Sequence, residues 1–102
     1  MRNTESLHLA HAEALRFISH KSRSEDEVRT RLLRHYTKNL VEKVLSLLKD
    51  SSIVDDTKFA NQWCNSRAIH NPRAAWVVEK ELIAKGICET LAKEAADKMD
   101  DS

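Results

Sequence analysis

Apolar residues recur along this chain at intervals of three and four, and the pattern restarts six times. Leu7, Ala10, Ala14, Phe17 and Ile18 set the first stripe, whose period predicts a helix over about residues 5–20. HKSRS interrupts it. Val28, Leu32 and Leu33 carry the second stripe, opened by Ser24 with Glu27 three residues on, the spacing of a capping box. A break follows at residues 35–38. Val41, Val44, Leu45 and Leu48 then obey the i, i+3, i+4, i+7 rule closely, with Asn39 and Glu42 repeating the capping pattern. This third helix should end near residues 50–52.

The next stretch, SIVDDTKFANQW, places two acids beside each other. Asp55 suits an N-cap and Asp56 the first helical position, where the positive end of the helix dipole favours an acid. Val54 and Phe59 are spaced as a hydrophobic staple. Ala60, Trp63 and Cys64 continue the face of Phe59. The acid pair therefore reads as a helix start, not a catalytic dyad. For the fifth helix the boundary residues are Asn71 as cap, Pro72 as first residue and Gly86 as left-handed stop after Lys85. Ala75, Val78 and Leu82 share one face, and Trp76 lines up with Ile83. The sixth helix starts near Cys88 or Glu89 and carries Leu91, Ala92, Ala95 and Met99. The acidic tail DKMDDS should fray.

The six segments repeat as two threes. VRTRL at residues 28–32 lies 50 positions before VEKEL at residues 78–82. A helix with an aromatic residue, Phe17 or Trp63, precedes each, and a helix with Val44-Leu45 or Thr90-Leu91 follows. The expected fold is all-α: a tandem repeat of three-helix units, residues 1–52 and 53–102, joined through SIVDD. One glycine and one proline in 102 residues agree with helices on short connections. Each unit alone is marginal in core area, so packing against a neighbour should help both.

Composition narrows the chemistry. The formal net charge is +1 although 32% of residues are charged, a dense mixed surface and no uniform basic coat. Residues 21–38 hold six Lys/Arg against three acids, and residues 89–101 hold five acids against two lysines. Such an asymmetry could orient the protein on a partner. Cys64 and Cys88 lack metal or redox spacing and read as reduced, small apolar residues. The N-terminal residues are too polar for a signal peptide and no run spans a membrane, which makes a cytoplasmic protein the expectation. His8 and His11 stand three apart but have no third ligand at an obvious spacing. His20, His35 and His70 fall near breaks. One glycine excludes a glycine-rich phosphate loop. No acid–base or nucleophile constellation emerges, so neither an enzyme nor a cofactor or metal is expected.

Three motifs, in order, bring a family into view. SRSEDEVRTRL (residues 22–32), IVDDTKFANQWCNSR (residues 53–67) and ELIAKGI (residues 81–87) together resemble the RecX family, bacterial regulators of the RecA recombinase. The resemblance covers about residues 17–91. It implies tandem three-helix repeats, usually three, of which two are matched here. It also implies a monomeric, non-enzymatic protein of DNA repair, recombination and the SOS response. Such a protein binds RecA filaments on single-stranded DNA and restrains recombinase, ATPase and coprotease activity. Asp55, Asp56, Phe59, Trp63, Leu82 and Gly86 match as structural positions. The matching cations Arg23, Arg29, Arg31, Arg67 and Lys85 are the candidate partner contacts. Arg29 and Arg31 flank the Val28/Leu32 stripe, so reversing their charge should leave the fold intact. The rival reading is an autonomous helical DNA-binding module using Arg29, Arg31 and Arg34 of the second helix. The near-neutral net charge opposes tight duplex binding by such a module.

Overall fold

The computed structural model describes residues 3–100. Six helices follow one another: α1 (Asn3–His20), α2 (Glu25–Leu32), α3 (Lys38–Asp50), α4 (Asp56–His70), α5 (Ala75–Ala84) and α6 (Glu89–Asp100). No strand occurs among the described residues. The chain separates into two compact units, Met1–Asp55 and Asp56–Ser102. Within each unit every helix packs on the other two. No helix among the described residues is long and apolar enough to cross a membrane. Of the tail expected to fray, DKMDDS, residues 97–100 instead continue α6 to Asp100, and Asp101 and Ser102 lie outside the described residues.

The first unit is built on large aliphatic side chains. Val28, Leu32, Val41, Val44, Leu45, Leu48 and Val54 close over Ala10 and Ala14 of α1. The two alanines let α2 and α3 approach α1 closely, while Leu7, Phe17 and Ile18 seal the margin. The second unit uses a different mixture: Phe59, Ala60, Cys64, Val78, Leu82 and Ile87, with Ala92 and Ala95 of α6. Leu33, assigned to the second stripe, is instead 45% exposed. It follows the last residue of α2, where the chain has turned away from the core.

The helix ends divide into those that follow local chemistry and those that do not. At α2 the Ser24 hydroxyl accepts from the Glu27 amide at 3.1 Å and the Glu27 carboxylate accepts from the Ser24 amide at 3.0 Å. This is a complete capping box, and Ser24 is fully buried. At α3 the cap is Thr37, whose hydroxyl accepts from Leu40. Asn39 already lies inside the helix, and Glu42 turns to Arg29 instead. Asp55 directly precedes α4, as a cap should. Of the two residues spaced as a staple, Val54 belongs to the core of the first unit and Phe59 to that of the second.

Helix α5 starts three residues later than Asn71 and Pro72 suggested. Its N-cap is Ala74, at φ −60° and ψ 145°, with no side-chain cap. Proline's fixed φ fits an extended connection as well as a first helical turn, and here the connection wins. The other end does follow the glycine. Gly86 has φ 90°, a value that strongly favours glycine. The turn it makes lets the Ile87 amide reach Leu82 O at 3.1 Å and drops Ile87 into the core.

Candidate interaction surfaces

Arg29 is the centre of a charged network in the first unit. Its guanidinium donates to Glu42 at 2.8 and 3.2 Å and to Glu25 at 2.6 Å, with Asp26 3.6 Å away. Lys49 reaches Glu25 at 3.2 Å. Helix α2 supplies Glu25, Asp26 and Arg29; α3 supplies Glu42 and Lys49. The network ties the two together. Burial raises the pKa of Glu25, but hydrogen bonds from Arg29 and Lys49 more than reverse it, so its carboxyl titrates below the ordinary 4.5. The hydrogen bond from Arg29 likewise lowers Glu42. Hydrogen bonds to Glu42 and Glu25 in turn push the Arg29 guanidinium up. Charge reversal at Arg29 would set a fourth acid beside three others. The reversal should therefore destabilise the unit, contrary to the expectation that it spares the fold.

The remaining candidate cations lie on aromatic rings. Arg23 Cζ sits 3.8 Å from the centre of the Phe17 ring, and its Nε donates to Phe17 O at 3.3 Å. Arg31 lies 5.3 Å from the same ring and 3.6 Å from Glu13. That separation is an ion pair but too long for a hydrogen bond, and Arg31 Nε and Glu13 Oε2 are buried without one. In the second unit Trp63 Nε1 and Arg67 Nε both donate to Glu81 Oε1 at 3.0 Å. Arg67 and Lys85 stand 4.9 and 5.0 Å from the Trp63 ring, and Phe59 stacks beside it at 6.1 Å.

These two clusters occupy the same places. Glu13, Phe17 and Arg31 precede Trp63, Arg67 and Glu81 by fifty positions each. Both sets join the first helix of a unit to the second through an aromatic ring, a cation and an acid. The three residue kinds are permuted: the second helix offers the cation in the first unit and the acid in the second. The ring contacts were invisible to motif spacing, but the fifty-residue echo was a signal that could have found them. Arg29 and Arg31 are held internally, and Arg34 lies beyond the end of α2, so the three arginines expected on one duplex-reading helix do not share it.

Other sites offer less chemistry. Both cysteines are free; Cys64 is buried and Cys88, expected to be apolar filling, is exposed just before α6. Burial pushes the Cys64 thiol up, with Lys98 opposing and Glu81 adding to the shift. A groove of about 140 Å³ between α4 and α6 is lined by Asn61, Cys64, Asn65, Ala68, Ala95, Lys98 and Met99. No group of three or more His, Cys, Asp or Glu among the described residues is placed to hold a metal.

Two successive three-helix units, each joining its first two helices through an acid, a cation and an aromatic ring, define an all-α tandem-repeat protein. The chain belongs to the RecX family. Residues 10–48 match the model described as RecX, first three-helix domain, and residues 55–95 match RecX, second three-helix domain. It is similar to the "Regulatory protein RecX" of Chlorobium limicola, 37% identical over 84 residues, covering 81% of this chain and 53% of the relative. The protein of the same name from a Mycobacterium species is 34% identical over 90 residues, with 86% and 49% covered. That from Streptococcus gordonii is 32% identical over 88 residues, with 85% and 34% covered. The chain spans about half the length of the first of these relatives. No solved structure matches.

Proposed function

We propose that this chain regulates the RecA recombinase by binding its filament on single-stranded DNA. In this reading it restrains strand exchange, ATP hydrolysis and coprotease activity. It works as a cytoplasmic monomer that catalyses nothing itself. The observation that carries the reading is the pair of RecX three-helix domains, first and second in order, over residues 10–48 and 55–95. Relatives across that span are named regulatory proteins.

Arg23, Arg29, Arg31, Arg67 and Lys85 enter the reading as contacts made with the donors their internal partners leave over. Arg31 has the most to offer. Its side chain is 41% exposed and holds one acid at ion-pair distance, while a guanidinium carries five N–H donors.

The test is co-sedimentation with RecA filaments on single-stranded DNA, beside bare DNA and with ATP turnover followed in parallel. The chain should bind filaments more tightly than bare DNA and slow RecA turnover. Added salt should weaken the effect, because exposed charges more than about 8 Å apart are screened at physiological ionic strength. Arg31→Gln should weaken binding while keeping the fold. Equal affinity for bare DNA and filaments, with unchanged RecA turnover at saturating protein, overturns the proposal.

A further inference from the structure

Helix α5 turns a face to solvent that its counterpart α2 does not have. Trp76, Lys80 and Ile83 follow one another at i, i+4 and i+7, a single stripe. Trp76 is 65% exposed and Ile83 38%. Arg73 lies in the connection leading into the helix, three residues before Trp76, and is exposed, as is Lys80. Fifty positions earlier stand Arg23, Asp26, Thr30 and Leu33. There Asp26 lies beside Arg29, and three acids fill the first turn of α2. The first turn of α5 holds no acid.

The difference in Arg73 has a cause within the fold. Its counterpart Arg23 folds onto the Phe17 ring at 3.8 Å. The residue in the place of Phe17 is Arg67, which is bound to Glu81 and rests on Trp63. Arg73 therefore has no ring to fold onto at the matching place, and neither it nor Lys80 has an ion pair recorded among the described residues. No acid occurs from residue 70 to residue 78. The result is an exposed indole with Arg73 three positions before it and Lys80 four positions after it, and with Glu79 next to Lys80.

We propose that this face, Arg73, Trp76 and Lys80, binds single-stranded nucleic acid directly, the indole stacking on a base and the two cations taking phosphates. A protein hot spot also favours tryptophan and arginine. Two cations against a single acid, Glu79, around an exposed ring suit a polyanion that itself carries π faces. Exposed aromatic rings in positive surroundings are the general means of holding single strands without reading sequence. The near-neutral charge of the whole chain makes this contact weak by itself, so it adds to a larger interaction rather than replacing one.

The test titrates a fluorescein-labelled oligothymidylate, about 15 nucleotides long to cover one site, with the full 102-residue chain and follows anisotropy at low salt. Binding should saturate. Trp76→Ala should weaken it about tenfold, the loss of one stacked base, and Trp76→Phe should restore most of it. Arg73→Gln with Lys80→Gln should flatten the slope of log affinity against log salt by about 1.4, or 0.7 per phosphate. These side chains are exposed, and circular dichroism confirms that each variant is folded. Absent binding, unchanged affinity in Trp76→Ala, or equal binding of a duplex that ignores Trp76 each overturns the proposal. Loss of RecA-filament binding in Trp76→Ala with no bare-strand binding by the parent chain does so too, and makes the face a protein contact. Because the probe contains no RecA, this contact and the filament reading fail separately.

Discussion

Ser24 and Ala74 hold the same place in the two units, and only one of them caps a helix. Ser24 closes a capping box, while Ala74 leaves the first amides of α5 without a side-chain acceptor. Ala74→Ser should therefore raise stability by about 0.5–2 kcal/mol, read as a higher urea midpoint. A midpoint unchanged by the substitution would show that the connection into α5 is fixed by something other than its cap. The same pair shows what the sequence could say about single residues. Ser24 with Glu27, and Gly86, were legible because one backbone geometry satisfies each. Thr37 was missed in favour of Asn39 because both residue types can cap and lie two positions apart. Pro72 misled because its φ belongs equally to a helix start and to an extended strand of loop.

Between helices, Arg29 is the residue whose loss should be felt most. It bonds carboxylates from both α2 and α3. Glu25 and Glu42 are both depressed below 4.5 in the fold. A group with a lowered folded pKa stabilises the protein fully above its unfolded value, and that contribution is lost as pH falls through the folded one. Stability should therefore drop on acidification below about 4.5. Arg29→Met should lower stability at neutral pH and flatten that acid limb. Urea midpoints measured across the pH series decide it; an acid limb as steep in Arg29→Met as in the parent would remove the network from the account. Periodicity made all six helices and their inward faces legible. It could not foresee that Arg29, a candidate for outside contact, spends its donors within the unit, because pairing across helices depends on register, which spacing along one helix does not contain.

Over the whole molecule the two units differ in what fills them. In α3 the inward positions are Val41, Val44, Leu45 and Leu48, and in α6 they are Ala92, Ala95 and Ala96, with Met99 packed beside them. The second unit thus buries less aliphatic surface on its third helix, and surface removed from water contributes roughly 25 cal/mol per Å². Amides of α4–α6 should exchange with deuterium before those of α1–α3, since opening free energy follows buried apolar contact. Equal protection in both halves would mean that the chain opens as one cooperative unit. The echo over residues 28–32 and 78–82 announced the tandem fold; this inequality was hidden, because alanine and leucine mark the same helical stripe and differ only in volume. The permuted clusters have a further consequence, for assembly. Tandem repeats can misfold by exchanging equivalent helices. Were α1 to take α5 as its partner, Glu13 would meet Glu81; were α4 to take α2, Arg67 would meet Arg31. Each wrong pairing sets like charge against like at a half-buried site, and each right one sets opposites together. The chain thus carries a two-letter lock and key that tells its first half from its second while it folds.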